Sequence, residues 1–115
     1  ESDLINSYAW DTAIVFIQTF SGDTNYSMQY PFQSTLATTG NAHDGSNRYD
    51  VRCNIYDMAG NVIEWSTETS ISNGSPCLSR GGHCYGSDRY VASRSAYSTS
   101  GRGAHIGFRS ILYVK

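Results

Sequence analysis

Asp57-Met58-Ala59-Gly60-Asn61-Val62-Ile63-Glu64-Trp65 is the stretch that decides how this 115-residue chain folds. Gly60-Asn61 is a tight-turn dipeptide, since both residues accept left-handed backbone. Ahead of it, residues 54–56 read as a short strand or turn; behind it, Val62, Ile63 and Trp65 enter a core strand. Glu64 lies within that strand, so its carboxylate requires a backbone or arginine partner. Further on, residues 70–76 form a Ser/Asn/Gly turn, and residues 78–84 read as a strand carrying Arg80-Gly81-Gly82. Paired glycines mark a place where another part of the chain packs too closely for a Cβ. Residues 91–96 are a third apolar piece. Residues 106–114 close the chain as a strand, with Phe108, Ile111, Leu112 and Val114 apolar.

Residues 6–20 give the one convincing helix. Ser7 is the expected N-cap, and Trp10, Ala13, Phe16, Ile17 and Phe20 fall on one face at three- and four-residue spacing. That face is expected to be core. Ser21-Gly22-Asp23 supplies the stop, with glycine free to take the left-handed position after the cap. Residues 23–52 are polar and broken by Pro31, Gly40-Asn41 and Asp44-Gly45-Ser46-Asn47, so little regular structure is expected there. Asp44, Asn47 and Asp50 form an oxygen-rich cluster without EF-hand spacing. It reads as a solvated turn, with a structural calcium left open and no other cofactor expected.

Composition narrows the function classes. The chain is 39% hydrophobic but only 16% charged, with nine Tyr and eleven Gly, which is a globular composition whose surface leans on Ser, Thr, Asn, Gly and Tyr. Net charge is −2, no Lys/Arg run occurs and the only Lys is the last residue; nothing here would track a phosphate backbone, so nucleic acid is not an expected partner. No apolar run approaches the roughly 20 residues of a membrane span, and no signal-peptide pattern opens the chain. The absence of an initiator Met fits a processed product or an excised fragment. Cys53, Cys77 and Cys84 cannot all pair with one another and lack zinc-like spacing. Cys77 and Cys84 either bridge or stay as free buried thiols.

Three motifs in this order, Asp57 to Trp65, Arg80-Gly81-Gly82 and Gly107-Phe108-Arg109, together with Trp10-Asp11-Thr12-Ala13-Ile14-Val15-Phe16 in the helix, resemble the formylglycine-generating-enzyme (sulfatase-modifying factor) family. The resemblance runs from about Tyr8 to Tyr113. It implies an α+β, C-type-lectin-like fold of the formylglycine-enzyme subtype: one clear helix, short strands and much irregular loop. Residues 1–115 are then a single such domain, read as the C-terminal portion of a longer chain. Arg80, Arg94 and Arg109 recur at the motif positions of the family and read as structural arginines that clamp loops by hydrogen bonds.

The chemistry of the family can be checked residue by residue. Its enzymes oxidise a substrate cysteine with a copper ion held by two thiolates, four and nine positions beyond the second glycine of the Arg-Gly-Gly stretch. Those positions here are Gly86 and Val91, and Cys84 is off the pattern. One thiolate cannot make such a soft-metal site. Ergothioneine-type relatives use non-heme iron whose histidines come largely from a separate helical domain, whereas His43, His83 and His105 are scattered in loops. The chain therefore reads as non-catalytic.

Between Thr69 and Arg109 there is no Lys, Glu, Gln, Met or Trp. This resembles the variable proteins of diversity-generating retroelements, in which adenine-directed mutagenesis of Asn codons diversifies a C-terminal segment; a changed AAC codon yields none of those five residues. The resemblance implies a ligand-binding or display domain using residues 83–105: His83, Cys84, Tyr85, Gly86, Ser87, Asp88, Tyr90, Tyr97, Ser98, Thr99, Ser100, Arg102, Ala104 and His105. Tyr85, Tyr90 and Tyr97 would anchor a protein or cell-surface ligand, with hydroxyls and His105 adding hydrogen bonds. A cell surface, the secreted space or a phage particle would be its place. The alternative is a degenerate or partial sulfatase-modifying-factor oxidoreductase domain.

Overall fold

The computed structural model describes residues 2–30, 50–84 and 89–112. The elements are β1 (Ser2–Leu4), α1 (Ser7–Phe20), a 3₁₀ turn (Tyr26–Met28), β2 (Val51–Arg52), β3 (Ile55–Tyr56), β4 (Ile63–Thr69), β5 (Cys77–Arg80), β6 (Arg94–Tyr97), β7 (Ile106–Phe108) and β8 (Ser110–Leu112). Among the described residues this is the α+β arrangement with one α-helix that the resemblance implies.

The strand entered from the Asp57–Trp65 motif is the centre of the molecule. β4 pairs antiparallel with β5 and parallel with β7, and β6 completes a four-stranded sheet in the order β6-β5-β4-β7. β1 and β8 form a separate antiparallel ribbon that brings the two ends together. Ile5 ties the ribbon to the sheet: its N–H donates to the Arg109 carbonyl at 2.9 Å and its carbonyl accepts from the Thr67 N–H at 3.1 Å. β2 and β3 are a hairpin whose two loop residues, Cys53 and Asn54, both have positive φ, the type I′ geometry that suits strand twist.

The helix departs from its sequence reading in two ways. Asn6, not Ser7, is the N-cap, its side chain accepting the Ala9 N–H at 2.8 Å; the Ser7 hydroxyl accepts instead from Arg94 Nη2 at 3.1 Å. The buried stripe is Trp10, Ile14 and Ile17, while Phe16 is 42% and Phe20 69% exposed, packed on each other with ring centroids 4.8 Å apart. Apolar residues occupy both faces of α1, so spacing alone selects no inner face. Contact with the core decides it: Trp10, Ile14 and Ile17 join Ile5, Tyr26, Met58, Ala59 and Val91. Helix termination follows expectation, with Ser21 as C-cap and Gly22 at φ +79°.

Other elements end earlier than the apolar runs suggest. β5 stops at Arg80 because Gly81 turns the chain at φ +75°, where a Cβ would lie 3.1 Å from Trp10 Cζ2 and 3.2 Å from the Met58 carbonyl oxygen. Val91 belongs to the core cluster rather than to a strand; the third strand starts at Arg94. The closing run is two strands, β7 and β8, that separate at Arg109 into different sheets. Trp65 is half-buried rather than central to the core. It meets Tyr97 edge-on at 5.6 Å and the turn at Gly101. None of the three cysteines is in a disulfide: Cys53 is exposed, Cys77 half-buried and Cys84 buried.

Candidate functional site

The three arginines are clamps. Arg80, wholly buried, pairs with Asp11 and reaches Glu68 Oε2 at 3.2 Å, while Arg94 joins Asp11 Oδ2 at 2.9 Å and Glu68 Oε1 at 3.1 Å. These four charges balance and lock α1 to β4, β5 and β6. Burial pushes the Glu68 carboxyl up, but hydrogen bonds from Ser7 and Arg94 and the charges of Arg80 and Arg94 outweigh it and hold Glu68 below its ordinary value. Arg109 grips Glu64 with two nitrogens, Nε to Oε2 and Nη2 to Oε1, both at 2.9 Å, and Nη2 also donates to the Tyr56 carbonyl at 2.8 Å. Burial pushes the Glu64 carboxyl up and Arg109 pulls it down; burial is the larger.

Beside this pair lies a cleft of about 330 Å³, walled by Asp57, Asn61, Val62, Glu64, Phe108 and Arg109 with Gly107 in its lining. Asp57 and Asn61 line it in left-handed conformation, φ +55° and +61°, and Asn61 Nδ2 donates to Asp57 Oδ2 at 3.4 Å. Strained polar residues around a concavity are a common mark of a functional site. Phe108, 68% exposed, forms an open wall. In the sequence these same residues serve only as fold markers. The turn dipeptide gives their backbone conformation, but nothing local reveals that residues 57–64 and 107–109 face one concavity; the parallel pairing of β4 with β7 does that.

The residues expected to contact a ligand fall into separate groups. His83 and His105 come together with ring centroids 4.5 Å apart, joining two distant loops. Tyr97 and Ser98 are half-buried, while Thr99, Ser100, Arg102 and Ala104 are exposed. Within that loop Ser98 and Ser100 hydroxyls lie 3.0 Å apart, and the Gly101 N–H donates to the Ser98 carbonyl at 2.9 Å. Tyr90 stands apart, paired with Tyr30 through hydroxyls 2.7 Å apart and rings 4.4 Å apart. Cys84 is only 2% exposed, so its side chain presents no surface, and its N–H donates to the Asn61 carbonyl at 3.1 Å. Tyr85, Gly86, Ser87 and Asp88 lie outside the described residues.

Of the two positions at which the resemblance implies a copper thiolate, Val91 is 0% exposed in the apolar core and Gly86 lies outside the described residues. Among the described residues no group of three or more His, Cys, Asp or Glu side chains could hold a metal ion. Asp44 and Asn47 of the oxygen-rich cluster lie outside the described residues. Asp50 does not sit in a solvated turn as expected: it is fully buried, accepting from the Tyr26 hydroxyl at 2.7 Å and the Ala59 N–H at 2.5 Å. No described helix is long and apolar enough to cross a membrane.

Motifs and fold agree with the comparisons to known proteins. The sulfatase-modifying factor enzyme 1-like domain family matches residues 2–114, and the chain belongs to that family. A solved structure, "Crystal Structure of CarF", shares the fold with a TM-score of 0.68 at 22% identity over 99% of this chain. The chain spans about half of that protein's length, 48%. No curated protein matches the sequence significantly.

Proposed function

We propose that this is a sulfatase-modifying-factor-type domain that binds a ligand rather than oxidising a cysteine. The observation that carries the reading is Val91: at a position where the resemblance implies a copper thiolate, this chain has an aliphatic side chain in the same buried cluster as Trp10, whose indole N–H donates to the Val91 carbonyl at 3.0 Å. The binding surface would be the exposed loop at 98–105 with the His83–His105 contact at its base. A protein or cell-surface ligand suits its hydroxyls and small residues. A retroelement-diversified variable protein is the finer form of this reading, supported by the five residue types missing between Thr69 and Arg109.

A second reading, a partial or degenerate sulfatase-modifying oxidoreductase domain, is favoured by the family match across residues 2–114 and by the longer chain of the protein that shares the fold. Copper titration with oxygen uptake on a cysteine-containing peptide separates the two. The binding reading expects no stoichiometric copper and no turnover; tight copper with peptide oxidation would replace it with the second. For the finer form, a reverse-transcriptase gene and an Asn-codon-rich near-copy of the 3′ coding segment should lie next to the gene.

A further inference from the structure

The motif turn at 57–61 hangs on one buried carboxyl. The Asp50 carbonyl accepts the Asp57 N–H at 2.7 Å, and Asp50 Oδ2 accepts the Ala59 N–H at 2.5 Å and the Tyr26 hydroxyl at 2.7 Å. Asp50 Oδ1 is buried and has no hydrogen-bond partner. The groups around this carboxyl are Tyr26 from the 3₁₀ turn, Arg52 from β2, Asp57 from the turn itself and, through Tyr26, Arg109 between β7 and β8. Neither arginine pairs with Asp50: Arg52 Nη1 donates to the Val51 carbonyl at 3.2 Å, and Arg109 is taken by Glu64 and the Tyr56 carbonyl. Asp57 adds a charge of the same sign.

An anion with one bare oxygen in an apolar core costs far more than a neutral hydroxyl in the same place. Oδ2 already accepts two hydrogen bonds, which leaves Oδ1 as the oxygen that can carry a proton. We propose that Asp50 is a proton-operated latch: uncharged, it clamps the turn at 57–61 against Tyr26, and loss of its proton releases that turn and the cleft bordered by Asp57 and Asn61. Burial pushes the Asp50 carboxyl up from its ordinary value, with the Ala59 N–H, the Tyr26 hydroxyl and the Arg52 charge pulling against it. Burial likewise pushes the Tyr26 phenol up, so it remains the donor. For a carboxyl raised in the folded state, the stabilising contribution is full below the unfolded value of about 3.9. It is lost as pH rises through the folded value. The latch is independent of the ligand reading.

The test compares the wild-type chain with D50N from about pH 4 to about pH 9, a range that spans the expected loss. Asn keeps an acceptor for Tyr26 and Ala59 but cannot ionise. The wild-type melting temperature should fall relative to D50N as pH rises. Amide exchange at 57–61, corrected for intrinsic rates, should become at least roughly tenfold faster than in D50N, one pKa unit being worth about tenfold. Parallel melting curves, or exchange at 57–61 that never diverges between the two proteins, would overturn the latch. Should D50N fail to fold, the carboxyl ¹³C resonance of Asp50 in the wild-type chain decides: a midpoint above the ordinary aspartate range supports the latch, and one within or below it overturns it.

Discussion

Arg109 and Glu64 show how much a single residue type carries here. Glu64 sits in the central strand with its side chain almost wholly enclosed, and Arg109, about a quarter exposed, is the cation that pairs with it. A carboxylate in an enclosed strand demanded a partner, and the arginine of Gly107-Phe108-Arg109 answers that demand across 45 positions of sequence. Removing one member of an enclosed pair costs more than removing both, because it strands a charge. Arg109→Ala should therefore lose about 2–4 kcal/mol near neutral pH, and the double variant E64Q/R109A should recover most of that loss in denaturant melts. The pH dependence has a definite sign. Burial already raises the Glu64 carboxyl, and without Arg109 it rises further, so the Arg109→Ala penalty should shrink as the medium is acidified and Glu64 takes up its proton. A penalty that stays constant with pH would mean that Arg109 acts through packing or the Tyr56 carbonyl instead.

At the scale of elements, α1 separates what periodicity can say from what it cannot. Both Ile17 and Phe20 lie on the stripe expected to be core, yet Ile17 is fully buried and Phe20 largely exposed. Ile17→Ala should cost about 2–5 kcal/mol, whereas Phe20→Ala should stay within about 0.5 kcal/mol. Equal losses in urea melts would restore the sequence-based face. The outward stripe of Tyr8, Thr12, Val15, Phe16, Thr19 and Phe20 contains no charged residue, which is why the sequence offered no polar face to point outward. A similar ambiguity displaced Trp65. An aromatic in a strand reads as core, but in β4 it is Ile63, Glu64 and Ser66 that are buried, while Trp65 is half-buried and meets Tyr97 and the turn at Gly101. Trp65 therefore couples the sheet to the proposed binding surface, a role that only the alternation of β4 within its sheet assigns.

For the whole molecule, the acidic groups pull the stability profile in opposite directions. Glu68, lowered by Ser7, Arg94 and Arg80, contributes stability that is present above its ordinary carboxylate value and lost as pH falls through the folded one. Asp50 and Glu64, raised by burial, contribute stability that is lost as pH rises. Glu68→Gln should flatten the acid limb of a melting-temperature profile and leave the alkaline limb in place; loss of both limbs would show that the Asp11–Arg80–Arg94–Glu68 cluster and the Asp50 region unfold as one unit. Sequence by itself determined the family, through the motifs that carry the resemblance and with it the reading of the three arginines as clamps; the helix at 7–20 with its glycine stop and the turn at Gly60-Asn61 rest on local backbone chemistry. Tertiary structure alone decided the inner face of α1, the burial of Asp50, and the cleft between 57–64 and 107–109. Those follow from which distant segments meet, and the parallel pairing of β4 with β7 and the closing of both chain ends into one ribbon leave no local mark on the residues they bring together.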